Sequence, residues 1–144
     1  MNIPDTPQTR VVLFQIRSSG AKLSCLTTTA ALHFKKKESL IILAEDEKAA
    51  LFVDELLWRS PATSFLPHIA TEEPTSDYIA ISRLKNNVNH SRHAFNLCPT
   101  PLLTGPFKTI YDFEDLTSPS KQQFSALRFD AYKRAGYIIE SQSV

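Results

Sequence analysis

The apolar positions of this chain fall into short unbroken runs separated by stretches of helical spacing. Val11-Val12-Leu13-Phe14-Gln15-Ile16 is apolar nearly throughout, as a strand covered on both faces should be. Ser18-Ser19-Gly20 interrupts it. Leu23, Leu26, Ala30 and Phe34 then recur at helical spacing, and Lys35-Lys36-Lys37 complements the negative end of that helix. Ser39-Leu40-Ile41-Ile42-Leu43-Ala44 is a second run of the buried-strand type. Asp46 predicts the N-cap of a second helix, with Ala49, Phe52, Val53, Leu56 and Leu57 on one face and an end near Trp58-Arg59, ahead of Pro61.

Strand, helix, strand, helix predicts a parallel sheet with crossover helices. Residues 59–77, rich in Pro, Ser, Thr and Glu, are expected to be loop. Three short strands follow, at Tyr78-Ile79-Ala80-Ile81, Ala94-Phe95-Asn96-Leu97-Cys98 and Thr109-Ile110-Tyr111-Asp112-Phe113. Ser118-Pro119 is a strong helix start, and the last helix should run to about Ala135, with Gly136 as its stop. On that helix Phe124, Leu127, Ala131 and Ala135 share one face, expected to be the core face. Gln122, Ala126, Phe129 and Lys133 lie opposite, on the face expected to be wet. Tyr137-Ile138-Ile139 closes with a final strand. Residues 1–9 read as a short leader and residues 10–144 as a single domain without internal repeats.

Composition removes whole classes of chemistry. Only three glycines occur, Gly20, Gly105 and Gly136, where average usage would give about ten. No G-x-G-x-x-G, P-loop or G-x-S-x-G elbow can be written, and the first strand-to-helix turn, Arg17 to Ser24, makes no phosphate cradle. Sixteen basic and fifteen acidic residues give a formal charge of +1, so any electrostatic attraction must be local. Cys25 and Cys98 form no disulfide framework and read as reduced thiols. The N-terminus lacks the features of a signal peptide and no run is long enough to span a membrane, so a cytoplasmic location is expected.

Among candidate chemistries, His90, His93 and Cys98 sketch a metal site, but they lack a fourth ligand and have Arg83, Lys85 and Arg92 around them. A solvated basic hairpin loop is the better reading, and no metal or cofactor is expected. Cys25 reads as a buried thiol, and Glu45-Asp46-Glu47 as acids offsetting a helix dipole. Phe129 is either partly covered by a neighbouring loop or an anchor for a partner, with Lys121, Arg128, Lys133 and Arg134 around it. Trp58 is the other large aromatic that could reach the surface. Loop 83–93 offers an alternative function, direct binding of single-stranded nucleic acid.

Leu40–Lys48, Asp54-Glu55-Leu56-Leu57-Trp58, Pro61–His68, Tyr111-Asp112-Phe113 and Arg128–Tyr137 together resemble the chi-subunit family of bacterial DNA polymerase III holoenzyme. The resemblance is close over residues 40–68 and 110–137 and only patterned over 10–36 and 78–98. It implies a non-catalytic α/β protein: one Rossmann-like domain in three layers, with a largely parallel sheet and flanking helices. It also implies an adaptor in DNA replication, joining the clamp-loader assembly, through a psi subunit, to the acidic C-terminal tail of single-stranded DNA-binding protein. That tail ends in phenylalanine with a free carboxylate, so its receptor needs an apolar slot and cations. By resemblance the tail site comprises Trp58, Lys121, Arg128, Phe129, Tyr132 and Lys133, and the psi-type contact Phe65 and Pro67. Asp130 stands where better-known members carry lysine, and Gln122 and Ala126 replace two further basic positions, so the familiar cations of that face are reduced.

Overall fold

The computed structural model describes residues 8–144; of the leader read at residues 1–9, the first seven residues lie outside the described part. The chain runs β1 (Arg10–Ile16), α1 (Ser19–Lys36), β2 (Leu40–Leu43), α2 (Glu47–Arg59), a 3-10 turn (Pro61–Thr63), β3 (Ile69–Ala70), β4 (Ile79–Ser82), β5 (His93–Asn96), β6 (Thr109–Asp115), α3 (Pro119–Arg134) and β7 (Ile138–Ser143). The seven strands form one open sheet in the order β3-β4-β2-β5-β6-β1-β7, and every pairing is parallel. This is a Rossmann-like α/β architecture of three layers.

The central strands are apolar on both faces because both faces are covered. Leu40, Ile42, Phe95 and Phe113 pack under α1 and α2, while Ile41, Leu43, Ala94 and Ile110 pack on the opposite side, where α3 lies. All four residues of β2 are buried, each contributing about 1.5–3 kcal/mol of hydrophobic stabilisation. The side chains of Ser18, Asp46 and Ser118 accept from backbone N–H groups three residues on and start the three helices. Gly136, at φ +81, turns the chain from α3 into β7.

Two expectations need correction. The stretch 59–77 is not all loop, since Ile69–Ala70 pairs with Ala80–Ile81 at the sheet edge; two residues are too few for any periodicity. The connection through 83–93 is not a hairpin, because β4 and β5 run parallel with β2 between them.

Candidate functional site

The last helix faces the sheet with a different side from the one expected. Its buried residues are Ser125, Arg128 and Tyr132, whereas Phe124 is 51% and Leu127 62% exposed. At about 100° per residue this is roughly a quarter turn from the Phe124–Leu127–Ala131 face. The cause is Asp112, a carboxylate on β6 that is 1% exposed and must find partners inside the fold. Arg128 Nε donates to both of its oxygens at 3.2 and 3.3 Å. Tyr132 Oη donates at 2.6 Å and Asn96 Nδ2 at 3.2 Å. Burial pushes the Asp112 carboxyl up, and Arg128, Tyr132, the Phe113 N–H and Asn96 pull against it. The Tyr132 phenol is driven up by burial and by the neighbouring carboxylate.

The same cluster ties down the proline-rich loop after β5. Arg128 Nη1 donates to the Pro99 carbonyl, Asn96 Nδ2 to the Thr100 carbonyl, and the Leu102 N–H to Tyr132 Oη. Arg128 and Tyr132 therefore act as a clamp within the fold, and Arg128 also borders a crevice beside Lys121 and Phe124. Phe129 is half-buried against the α3-side core, beside exposed Lys133, Gln122 and Ala126 on one flank of the helix. Lys121 is exposed at the first turns of α3. Asp130 is drawn to Arg134 at 2.9 Å, which offsets part of its charge.

Trp58 stands elsewhere. It ends α2, on the opposite face of the sheet from α3, near β3 and β4. Strand β4 is three strands from β6, or about 14 Å at ordinary spacing. The structure thus separates Trp58 from Lys121, Arg128, Phe129, Tyr132 and Lys133; crossovers to the two faces leave no mark in local sequence. It joins Trp58 instead to the chain around Phe65 and Pro67. Trp58 is 62% exposed and Phe65 97% exposed. Phe65 adopts φ +62, an uncommon conformation for a bulky residue. The turn under it is fixed: Thr63 Oγ1 donates to the Leu57 carbonyl at 2.8 Å and the Leu66 N–H to the Thr63 carbonyl at 3.0 Å.

The remaining candidates are dispersed. His90 is exposed, His93 begins β5 and Cys98 follows its far end, so the three do not converge. His93 instead faces His33, with ring centroids 5.0 Å apart, and its Nε2 lies 3.3 Å from Glu38. Both thiols are buried, and burial pushes Cys25 up to about 11. In the loop, Arg83 and Lys85 follow the C-terminal end of β4 while Arg92 precedes the N-terminal end of β5, and Lys108 precedes that of β6. Parallel strands put these at opposite edges of the sheet, and Glu72 holds Ser82, Arg83 and Asn86 at the first of them. They do not form one basic patch.

A crevice of about 550 Å³ opens at the C-terminal ends of β2, β5 and β6, between the first turns of α1 and α2 and the helix α3, where open α/β sheets commonly place ligands. Phe52 and Phe124 stand in its walls with Lys22, Lys48 and Lys121. Lys22 is paired with Asp115 at 2.9 Å. The half-exposed Phe52, Phe124 and Leu127 were missed as surface groups. The signal for Phe124 and Leu127 was the acid inside the buried strand Ile110–Phe113, which requires a polar helix face opposite.

A family model described as DNA polymerase III chi subunit, HolC, matches residues 9–140. The chain is 30% identical over 116 residues to DNA polymerase III subunit chi of Escherichia coli (strain K12), covering 78% of each chain.

Proposed function

The chain belongs to the DNA polymerase III chi-subunit family, and on that premise we propose that it is a non-catalytic adaptor with two separate binding faces. Membership gives it an accessory role in DNA replication, with the clamp-loader part of the holoenzyme as its setting. The finer reading assigns the Trp58–Phe65–Pro67 face to a psi-type clamp-loader subunit. It assigns the accessible flank of α3, with the edge of Phe129 and the cations Lys121 and Lys133, to the acidic tail of single-stranded DNA-binding protein. The place of work is then the cytoplasm; among the described residues no helix is long and apolar enough to cross a membrane.

The observation that carries this reading is Phe65, 97% exposed on a fixed turn between Trp58, itself 62% exposed, and His68, against which the Trp58 ring lies. Two large aromatics left in solvent on one rigid segment are what an interface hot spot requires. For the tail, Lys121 and Lys133 make no ion pair among the described residues, so their charge is free for carboxylates. Arg128 and Tyr132 hold the helix that presents the site. The test is to titrate the protein with the clamp-loader assembly and with a tail peptide, in the parent and in Trp58→Ala/Phe65→Ala and Lys121→Glu/Lys133→Glu. The first pair should lose only the clamp loader and the second only the peptide. Loss of both ligands from either pair would refute the two-face arrangement.

A further inference from the structure

We propose that Asp54 and His68 are a positioning pair for Trp58, holding its indole in the pose in which the clamp-loader partner meets it. The inference rests on the partner-face reading and adds to it how that face is preformed. The His68 side chain has no exposure although Pro67 and Ile69 on either side are exposed. Its Nδ1 donates to the Leu66 carbonyl at 2.8 Å, which fixes the ring plane. Its Nε2 faces Asp54 Oδ1 at 3.2 Å, outside hydrogen-bond alignment. The Trp58 indole lies against this ring, with centroids 4.5 Å apart and planes tilted by 52°. Asp54 and Trp58 are four residues apart on α2, so they neighbour each other along one side of the helix.

An indole on the last turn of a helix, mostly in water, would sample several rotamers unless something held it. A buried imidazole locked to its own backbone is a rigid wall for one of its faces and leaves the other to the partner. Ordering Trp58 in advance removes an entropy cost that docking would otherwise carry.

Trp58 is the only tryptophan in the chain, so its fluorescence anisotropy decay reports the pose directly. The variants are His68→Gln and Asp54→Ala, each alone and combined with Trp58→Ala, and the ligand is the clamp-loader assembly of the same organism. Both single variants should increase indole mobility and weaken binding by roughly two- to tenfold. Neither should add a loss once Trp58 is alanine, as expected of residues acting through one another. If His68→Gln does not fold, Asp54→Ala, at a partly exposed side chain, carries the same test. Unchanged indole mobility, or losses that add to that of Trp58→Ala, would overturn the positioning pair while leaving the partner face standing. Parent-like binding by Trp58→Ala alone would show that the partner face itself is wrong, and the pair would fall with it.

Discussion

Tyr132 Oη donates to Asp112 Oδ2 at 2.6 Å in the interior of the fold, and this bond, with the Arg128 guanidinium beside it, decides which side of α3 meets the sheet. The helix is docked by a charge-assisted polar cluster where an apolar seam was expected. What it presents to solvent follows from that docking.

Arg128→Ala should therefore act on stability. It leaves the Asp112 carboxylate buried without its cation, a change that costs about 3–5 kcal/mol, and Tyr132→Phe should cost about 1–3 kcal/mol. Urea unfolding of the two variants measures both. An Arg128→Ala protein as stable as the parent would make Arg128 a surface contact instead.

Phe124 and Leu127 provide the converse test. Because both lie mostly in water, Leu127→Ala should cost less than about 1 kcal/mol, whereas Leu26→Ala, at a buried position of α1, should cost about 2–5 kcal/mol. Equal costs in thermal unfolding would restore the helix to the facing expected from its apolar spacing.

Much of the frame was legible in the sequence, because strands covered on both faces are written as unbroken apolar runs and helix starts as Asp46 and Ser118-Pro119. The facing of α3 was not, since Ser125, Arg128 and Tyr132 are polar by periodicity and become core residues only through Asp112 on another element. Nor could spacing separate Trp58 from Phe129, because which face of a sheet a crossover takes is not a local property. Phe65 and Pro67 were legible through family likeness alone; the exposure and backbone conformation of Phe65 now supply a physical ground for them.

Acid should weaken the fold in two steps. Burial lowers the His33 and His93 pKa values below the ordinary 6.5, and for His93 the nearby His33 adds to it, while Glu38 opposes and Lys36, Lys108 and Arg92 surround the pair. The unfolded chain then takes up these protons first, so stability falls as pH drops through 6.5, until the lowered folded values are passed. For Asp115 burial pushes upward, but hydrogen bonds from Thr117 and Lys22 outweigh it and bring the carboxyl from 3.8 down to about 2. Its stabilisation is present above 3.8 and is lost as pH falls toward 2. Urea midpoints against pH should show both losses, and His93→Gln should reduce the first, leaving the part due to buried His33, without touching the second.

Phe65 sits at a positive φ that glycine adopts without strain. Phe65→Gly should thus be no less stable than Phe65→Ala, despite the greater freedom glycine gives the unfolded chain, and both should lose clamp-loader binding. Melting temperatures together with a binding titration check the pair. A glycine variant clearly less stable than the alanine variant would show that the turn carries no strain at this residue.

The two-face arrangement is tested most directly by competition. With the clamp-loader assembly bound and Trp58 covered, a labelled tail peptide of single-stranded DNA-binding protein is titrated in and its affinity compared with that for the free protein. Unchanged affinity and a ternary complex are expected, because Trp58 and Phe129 lie on opposite faces of the sheet. Mutual displacement of peptide and assembly would contradict the account.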